Sequence, residues 1–202
     1  MSYKDIPGWM KFQGLYDEAV CNAPMAGARF LEIGTAFGRS AAYLGERIIE
    51  SGKSITLDCI DPWVWPGEFC AADAEHAACL KKYGGDPKKA FYSCMMDNAR
   101  AVVTAHWFGA FQLTSQQLAE RYPSVTWDMV FLDGDHSYEG VSLDIKLFRD
   151  RIKPGGILAG DDYSQDVFPG VVRAVREAFN GDVEIREYDG WRHWVHYERR
   201  GL

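Results

Sequence analysis

From Arg29 onward the chain alternates short apolar runs with stretches of helical periodicity, the pattern of repeated βα units on a parallel sheet. Arg29 to Ile33 reads as a first strand, and Gly34 to Gly38 as a turn. The helix that follows carries Ala41, Leu44, Ile48 and Ile49 on one face and stops at Gly52. Ser54 to Ile60 predicts a second strand, ending on Asp61-Pro62. The alternation then resumes with a strand at Phe111 to Leu113, a helix from Ser115 to Arg121 and a strong strand from Trp127 to Leu132. A helix from Ser137 to about Arg151 presents Val141, Ile145 and Phe148, and Lys153-Pro154-Gly155-Gly156 leads into a strand ending at Asp161. Pro169 opens the next helix and Asn180-Gly181 ends it. Val183 to Tyr188 and Trp191 to Tyr197, joined by Asp189-Gly190, close the chain as a hairpin. The fold class is therefore α/β: a doubly wound, mostly parallel seven-stranded sheet with helices on both faces and a C-terminal antiparallel hairpin.

Two stretches break the pattern. Residues 1–28, with Trp9, Phe12 and Tyr16 at near-helical spacing, read as a helical lid or a contact with a second copy in a homo-oligomer. A Trp-, Cys- and Ala-rich stretch reads as an insertion at about 63–87. Trp63 to Lys82 has no obvious place in the core layers and is the candidate substrate lid. Lys88 to Val103 has the length of a sheet-covering helix. The remainder, 29–202, forms one domain.

Bulk numbers narrow the partners. With 202 residues and 47% hydrophobic composition the chain supports a substantial core. Its 22 Lys+Arg against 29 Asp+Glu, net charge -7, include no basic run that would track a phosphate backbone, which argues against a nucleic-acid partner. The five cysteines are odd in number and nowhere form a Cys-x-x-Cys pair, so free thiols in a reducing cytoplasm are expected. Neither a signal-peptide pattern nor a membrane-length apolar segment is evident.

The chemistry gathers where strands stop. Phe131-Leu132-Asp133-Gly134-Asp135-His136 and Ile157-Leu158-Ala159-Gly160-Asp161-Asp162 are apolar runs ending abruptly on carboxylates. On neighbouring parallel strands those acids meet at the carboxyl edge, where open α/β sheets bind ligands. Asp133, Asp161 and Asp162 offer the oxygen donors a hard divalent cation such as Mg²⁺ prefers, and uncompensated they would raise one another's pKa. His136 is the candidate base, while Asp135 and Ser137 suit capping of the helix behind them. Upstream, Glu32-Ile33-Gly34-Thr35-Ala36-Phe37-Gly38-Arg39-Ser40 joins a strand to a helix, so its backbone N–H groups face a ligand. It is not Gly-x-Gly-x-x-Gly, which argues against a nicotinamide dinucleotide. Asp61 stands where such folds place the acid that binds a ribose. Trp63, Trp65, Tyr163, Trp191 and Trp194 suit either an acceptor pocket or the core. His76, His106, His193 and His196 have no partner at metal spacing.

Together, Glu-Ile-Gly-Thr-Ala-Phe-Gly-Arg-Ser, Ile-Asp-Pro-Trp, Phe-Leu-Asp-Gly-Asp-His-Ser-Tyr-Glu-Gly and Gly-Gly-Ile-Leu-Ala-Gly-Asp-Asp, in that order, resemble the class I S-adenosylmethionine-dependent methyltransferases. Within these the chain is similar to the metal-dependent O-methyltransferases, in particular the macrocin-type branch acting on sugars. The resemblance runs from about Arg29 to the C-terminus. It implies a Rossmann-like methyltransferase fold, S-adenosyl-L-methionine held by Glu32, Gly34, Thr35, Ala36, Gly38, Ser40, Asp61, Ser115, Gln116 and Asp133, and a divalent metal on Asp133, Asp161 and Asp162. It further implies Asp133 and His136 as catalytic residues and a small-molecule hydroxyl (sugar, polyol or natural product) as acceptor. Asp161-Asp162 with His136 departs from the catechol-type branch, where Asp-Asn and a lysine stand. A metal-independent methyltransferase and a non-catalytic S-adenosylmethionine-binding module are the alternatives.

Overall fold

The computed structural model describes residues 2–64, 74–84, 86–102 and 108–199. Seven strands, β1 (Ala26–Ile33), β2 (Ser54–Ile60), β3 (Phe108–Phe111), β4 (Trp127–Leu132), β5 (Ile152–Gly160), β6 (Glu184–Tyr188) and β7 (Trp191–Tyr197), form one sheet in the order β3-β2-β1-β4-β5-β7-β6. The first five are parallel, and β7 inserts antiparallel between β5 and β6. The order reverses beside β1, the switch point at which ligands bind in doubly wound sheets. The described helices of α type are α1 (Gln13–Asn22), α2 (Arg39–Ser51), α3 (Ala74–Tyr83), α4 (Pro87–Val102), α5 (Ser115–Arg121), α6 (Tyr138–Phe148) and α7 (Pro169–Phe179).

Alternation along each strand feeds two apolar layers. Phe30, Leu57, Cys59, Met129, Phe131, Ala159 and Val195 pack with α1, α2, α3 and α4, while Leu31, Ile33, Ile60, Val130, Leu132, Leu158 and Trp194 pack with α5, α6 and α7. Strands buried on both faces read as nearly continuous apolar runs, which is why β4 is so prominent in the sequence.

Register places the site. Ile33 pairs with Ile60 and with Leu132, and Leu132 with Gly160. The next residue of each strand, Gly34, Asp61, Asp133 and Asp161, therefore stands in one row along the carboxyl edge, neighbours about 4.8 Å apart. Main-chain bonds continue the ladder one step past the strands: Gly34 N–H to Ile60 (2.9 Å), Asp133 N–H to Ile33 (2.8 Å) and Asp161 N–H to Leu132 (3.1 Å).

Several expectations need correction. β3 occupies Phe108–Phe111 rather than 111–113, because an edge strand takes its limits from its partner, here Leu57 opposite Phe108 through Ile60 opposite Phe111. α6 ends at Phe148 and a 3₁₀ turn, Arg149–Arg151, completes the expected helix. On α2, Ala41, Leu44 and Ile48 are buried but Ile49 is 48% exposed, since it lies a position beyond the apolar stripe. Trp63, His76 and Cys79 are buried against α4, at Tyr92, Phe91 and Ala90 respectively, so these parts of the Trp63–Lys82 stretch do have a place in the core. Trp65, Cys70 and His106 lie outside the described residues. Phe12 and Tyr16 are buried under α1, whereas Trp9 is exposed. At the hairpin, Asp189 (φ 50°) and Gly190 (φ 78°) take the two positive-φ positions of the expected turn.

Candidate active site

The glycine loop is shaped by contact with its neighbour. A Cβ at Gly34 (φ +88°) would fall 1.9 Å from the Asp133 carbonyl oxygen, so only glycine fits where the ends of β1 and β4 press together. Gly38 N–H donates to Thr35 O (2.8 Å), and Gly38, at φ +85°, begins α2 without any side-chain cap. The free N–H groups of that helix start, with the positive end of its dipole, face the edge where a cofactor's anionic end would lie.

Two acids brace this loop. Asp61 accepts from Ala36 N–H (3.0 Å) and Trp63 N–H (2.6 Å), and burial nevertheless raises its pKa. Its neighbour Trp63 donates its indole N–H to Ala36 O (2.8 Å). Glu32, 1% exposed, accepts from Ser40 Oγ (2.6 Å) and from the Tyr16 hydroxyl (3.2 Å). Burial pushes Glu32 up to about 7, against the lowering effect of those two bonds. Thr35 is buried in the same loop.

Across the row, His136 Nε2 lies 3.3 Å from Asp133 Oδ1 and 3.1 Å from Asp162 Oδ2. One ligand atom from each of Asp133, His136 and Asp162 lies within 4.8 Å of the others. The fit owes something to backbone strain: Asp162 holds φ 58°, a left-handed conformation costing about 1–3 kcal/mol outside glycine, and so presents its carboxylate to His136. Phe168 packs against the imidazole at 4.9 Å. Burial, then the charges of Asp161 and Asp162, push Asp133 up to about 8 despite its bond to His136. Burial likewise raises Asp161 to about 6 and Asp162 by a lesser degree. For His136 burial works the other way, but the bond to Asp133 and the surrounding carboxylates outweigh it and hold the imidazole above its ordinary value. Three carboxylates thus share one imidazole as counter-charge, a donor set that fits a hard divalent cation.

Asp133, Asp162 and His136 stand together, and Asp161, outside that group, lines a recess with His136, Asp144 and Trp194. Asp135 accepts from Ser137 N–H (2.8 Å) and Ser137 Oγ caps α6 at Gly140 N–H (3.0 Å), the capping roles their sequence suggests. Ser115 hydrogen-bonds Asp144, whose pKa burial raises to about 6, and Gln116 donates to Glu120 (2.9 Å) on the exposed side of α5. Trp63 and Trp194 are buried, and Trp191 is 41% exposed. Tyr16 was missed as a neighbour of the site: it lies ahead of the motif-bearing region, and only its helical offset from Phe12 and Trp9 hinted that it packs inward.

A family model described as a methyltransferase domain matches residues 31–163, more than half of the chain. Among solved structures, the O-methyltransferase NovP superposes with TM-score 0.64 at 16% identity, over 93% of this chain and 79% of its own. CalS11, a TDP-rhamnose 3'-O-methyltransferase of calicheamicin biosynthesis, gives TM-score 0.54 at 18% identity over 90% and 75%. TomG from Streptomyces achromogenes, an O-methyltransferase of tomaymycin synthesis solved with S-adenosylmethionine, gives 0.55 at 17% over 94% and 79%. No curated protein matches the chain. At such identities the solved structures speak for the fold, and the matched model speaks for the family. A switch-point glycine loop, the 3-2-1-4-5-7-6 sheet and that match agree: the chain belongs to the methyltransferase-domain family and is an S-adenosylmethionine-dependent methyltransferase.

Proposed function

We propose that this methyltransferase acts on a hydroxyl of a small molecule, a sugar, polyol or natural-product acceptor, and uses a divalent metal, Mg²⁺ by the chemistry of its donors. The observation that carries the reading is the Asp133–His136–Asp162 cluster standing one strand away from the glycine loop on the same edge. In this reading the glycine loop, with Glu32, Gly34, Thr35, Ala36, Gly38 and Ser40, receives the methionine end of S-adenosylmethionine. Asp61 keeps lone pairs for the ribose, and Ser115 and Gln116 flank the adenine. The cofactor supplies an already activated methyl group, so the protein's part is alignment and removal of one proton. Asp133 and Asp162 would hold the cation, which supplies Lewis-acid stabilisation of the developing alkoxide. His136, oriented by Asp133 and Asp162, would accept the hydroxyl proton at Nε2. That CalS11 and TomG are O-methyltransferases of calicheamicin and tomaymycin biosynthesis, and NovP an O-methyltransferase, supports the acceptor class. A net charge of -7 supports a small-molecule partner over nucleic acid, and the free thiols of Cys21, Cys59, Cys79 and Cys94 support a reducing cytoplasm. No helix among the described residues is long and apolar enough to cross a membrane. Residues 1–28 remain the candidate lid or oligomer contact.

A second reading, transfer without a metal, has its own observation: the 3.3 Å pairing of His136 with Asp133 already resembles an acid-oriented base. Labelled-methyl transfer to sugar, catechol and polyketide acceptors, with and without chelator, separates the two. Loss of transfer in chelator and recovery with Mg²⁺ is expected; full turnover in chelator overturns the metal role.

A further inference from the structure

Glu32 is a buried carboxylate with an unusual set of neighbours. Its two oxygens take one neutral donor each, Ser40 from the start of α2 and Tyr16 from α1, and no cationic side chain among the described residues pairs with it. A carboxylate held in that state keeps an appetite for positive charge, and its orientation depends on both hydroxyls.

Tyr16 comes from outside the residues, 31–163, that the family model covers. Its ring is fully buried, edge-on to Phe131 at 5.2 Å and to Phe12 at 5.0 Å. Phe131 is the register partner of Glu32 and stands two residues before Asp133. The phenol consequently sits where the charges of both Glu32 and Asp133 reach it, beneath the cofactor loop on one side and the acidic cluster on the other. α1 is itself tied down at its far end, where Lys53 Nζ donates to the carbonyls of Val20 (2.8 Å), Cys21 (2.6 Å) and Ala23 (2.7 Å).

We propose that Tyr16 is a positioning residue of the cofactor site: its hydroxyl fixes the Glu32 carboxylate, and through Glu32 the Ser40 end of the glycine loop, so that the N-terminal helix completes the S-adenosylmethionine cradle. The inference rests on the assignment of Glu32 and Ser40 to the cofactor, and binding measurements need no acceptor or metal to test it.

Titration calorimetry with S-adenosylmethionine on the full chain compares the wild type, Tyr16→Phe, Glu32→Gln and the double variant. Phenylalanine keeps both ring contacts and deletes only the hydroxyl. The expected outcome is about tenfold weaker binding for Y16F, the size of one lost hydrogen bond to a charged acceptor. KM for the cofactor rises with it, and kcat at saturation stays within about twofold. Because Tyr16 acts through Glu32, the double variant binds no more weakly than E32Q alone. Val20→Ala, which loosens α1 packing one turn beyond the phenol and touches neither its ring partners nor a hydroxyl, lowers the melting temperature and leaves affinity unchanged. Unchanged affinity in Y16F, independent effects in the double variant, or a loss in V20A equal to that in Y16F would each overturn the proposal. A wild type that fails to bind S-adenosylmethionine would overturn the cofactor assignment and this inference together, whereas normal binding that ignores Tyr16 defeats the inference alone.

Discussion

Replacing Glu32 by glutamine turns the buried acid into a measurable quantity. Its side-chain pKa moves from 4.5 to about 7 on folding, chiefly through burial. A carboxyl group with a raised folded pKa favours the native state while protonated, so its contribution is intact below 4.5 and is lost as pH rises through about 7. A rise of that size corresponds to roughly 3 kcal/mol, most of it lost between pH 5 and pH 8.5. Glutamine keeps the shape and never ionises, and so removes this dependence. Urea unfolding of both proteins across that range tests the argument: E32Q should gain roughly 2–3 kcal/mol over the wild type from the acid to the alkaline end. With a urea slope of about 2 kcal/mol per molar, the midpoint gap widens by about 1 M. A gap that stays constant across the range would refute the claim that Glu32 is held unneutralised in the fold. Other buried acids titrate in both proteins and cancel in the difference.

Gly34→Ala forces a Cβ to within 1.9 Å of Asp133 O at φ +88°, so a loss of about 3 kcal/mol or more in stability is expected, and a melting temperature within a few degrees of the wild type would contradict it. His136→Gln should lower kcat by about 10²–10⁴-fold, the range for a general base, while cofactor affinity stays put; an equal fall in both would indicate a structural role instead. Asp162→Asn should raise the Mg²⁺ concentration needed for half-maximal rate far more than Asp161→Asn does, because Asp162 and not Asp161 shares the cluster with Asp133 and His136; the opposite order would reassign the ligand.

What the sequence makes legible here depends on whether the backbone alone decides it. Asp61, Asp133 and Asp161 end apolar runs, and parallel pairing is enough to bring strand ends into a row, so their common edge follows from periodicity. Which of two adjacent aspartates faces the imidazole does not, since it turns on the left-handed backbone of Asp162, a strain that no local pattern announces. β3 was misplaced because Phe108-Gly109-Ala110-Phe111 has little strand preference of its own and exists by pairing with β2. Tyr16 and Glu32 lie 16 residues apart and meet through the packing of a helix onto the sheet, and Arg186 reaches Glu18 across 168 residues. Such contacts belong to the tertiary arrangement and leave no spacing to read.

The close approach of Gly34 to Asp133 also bears on how this scaffold can diversify. Main chain pressed against main chain, with Asp133 N–H bonded to Ile33 O, makes the cofactor loop and the acid loop a single strut. The distance from methyl donor to reacting oxygen is then a constant of the sheet, in keeping with a displacement that tolerates little misalignment. In the proposed function, new acceptors would be accommodated above that strut, where the chain from Tyr163 to Phe168 passes His136. Selectivity can drift there while the reaction coordinate stays where the strands put it.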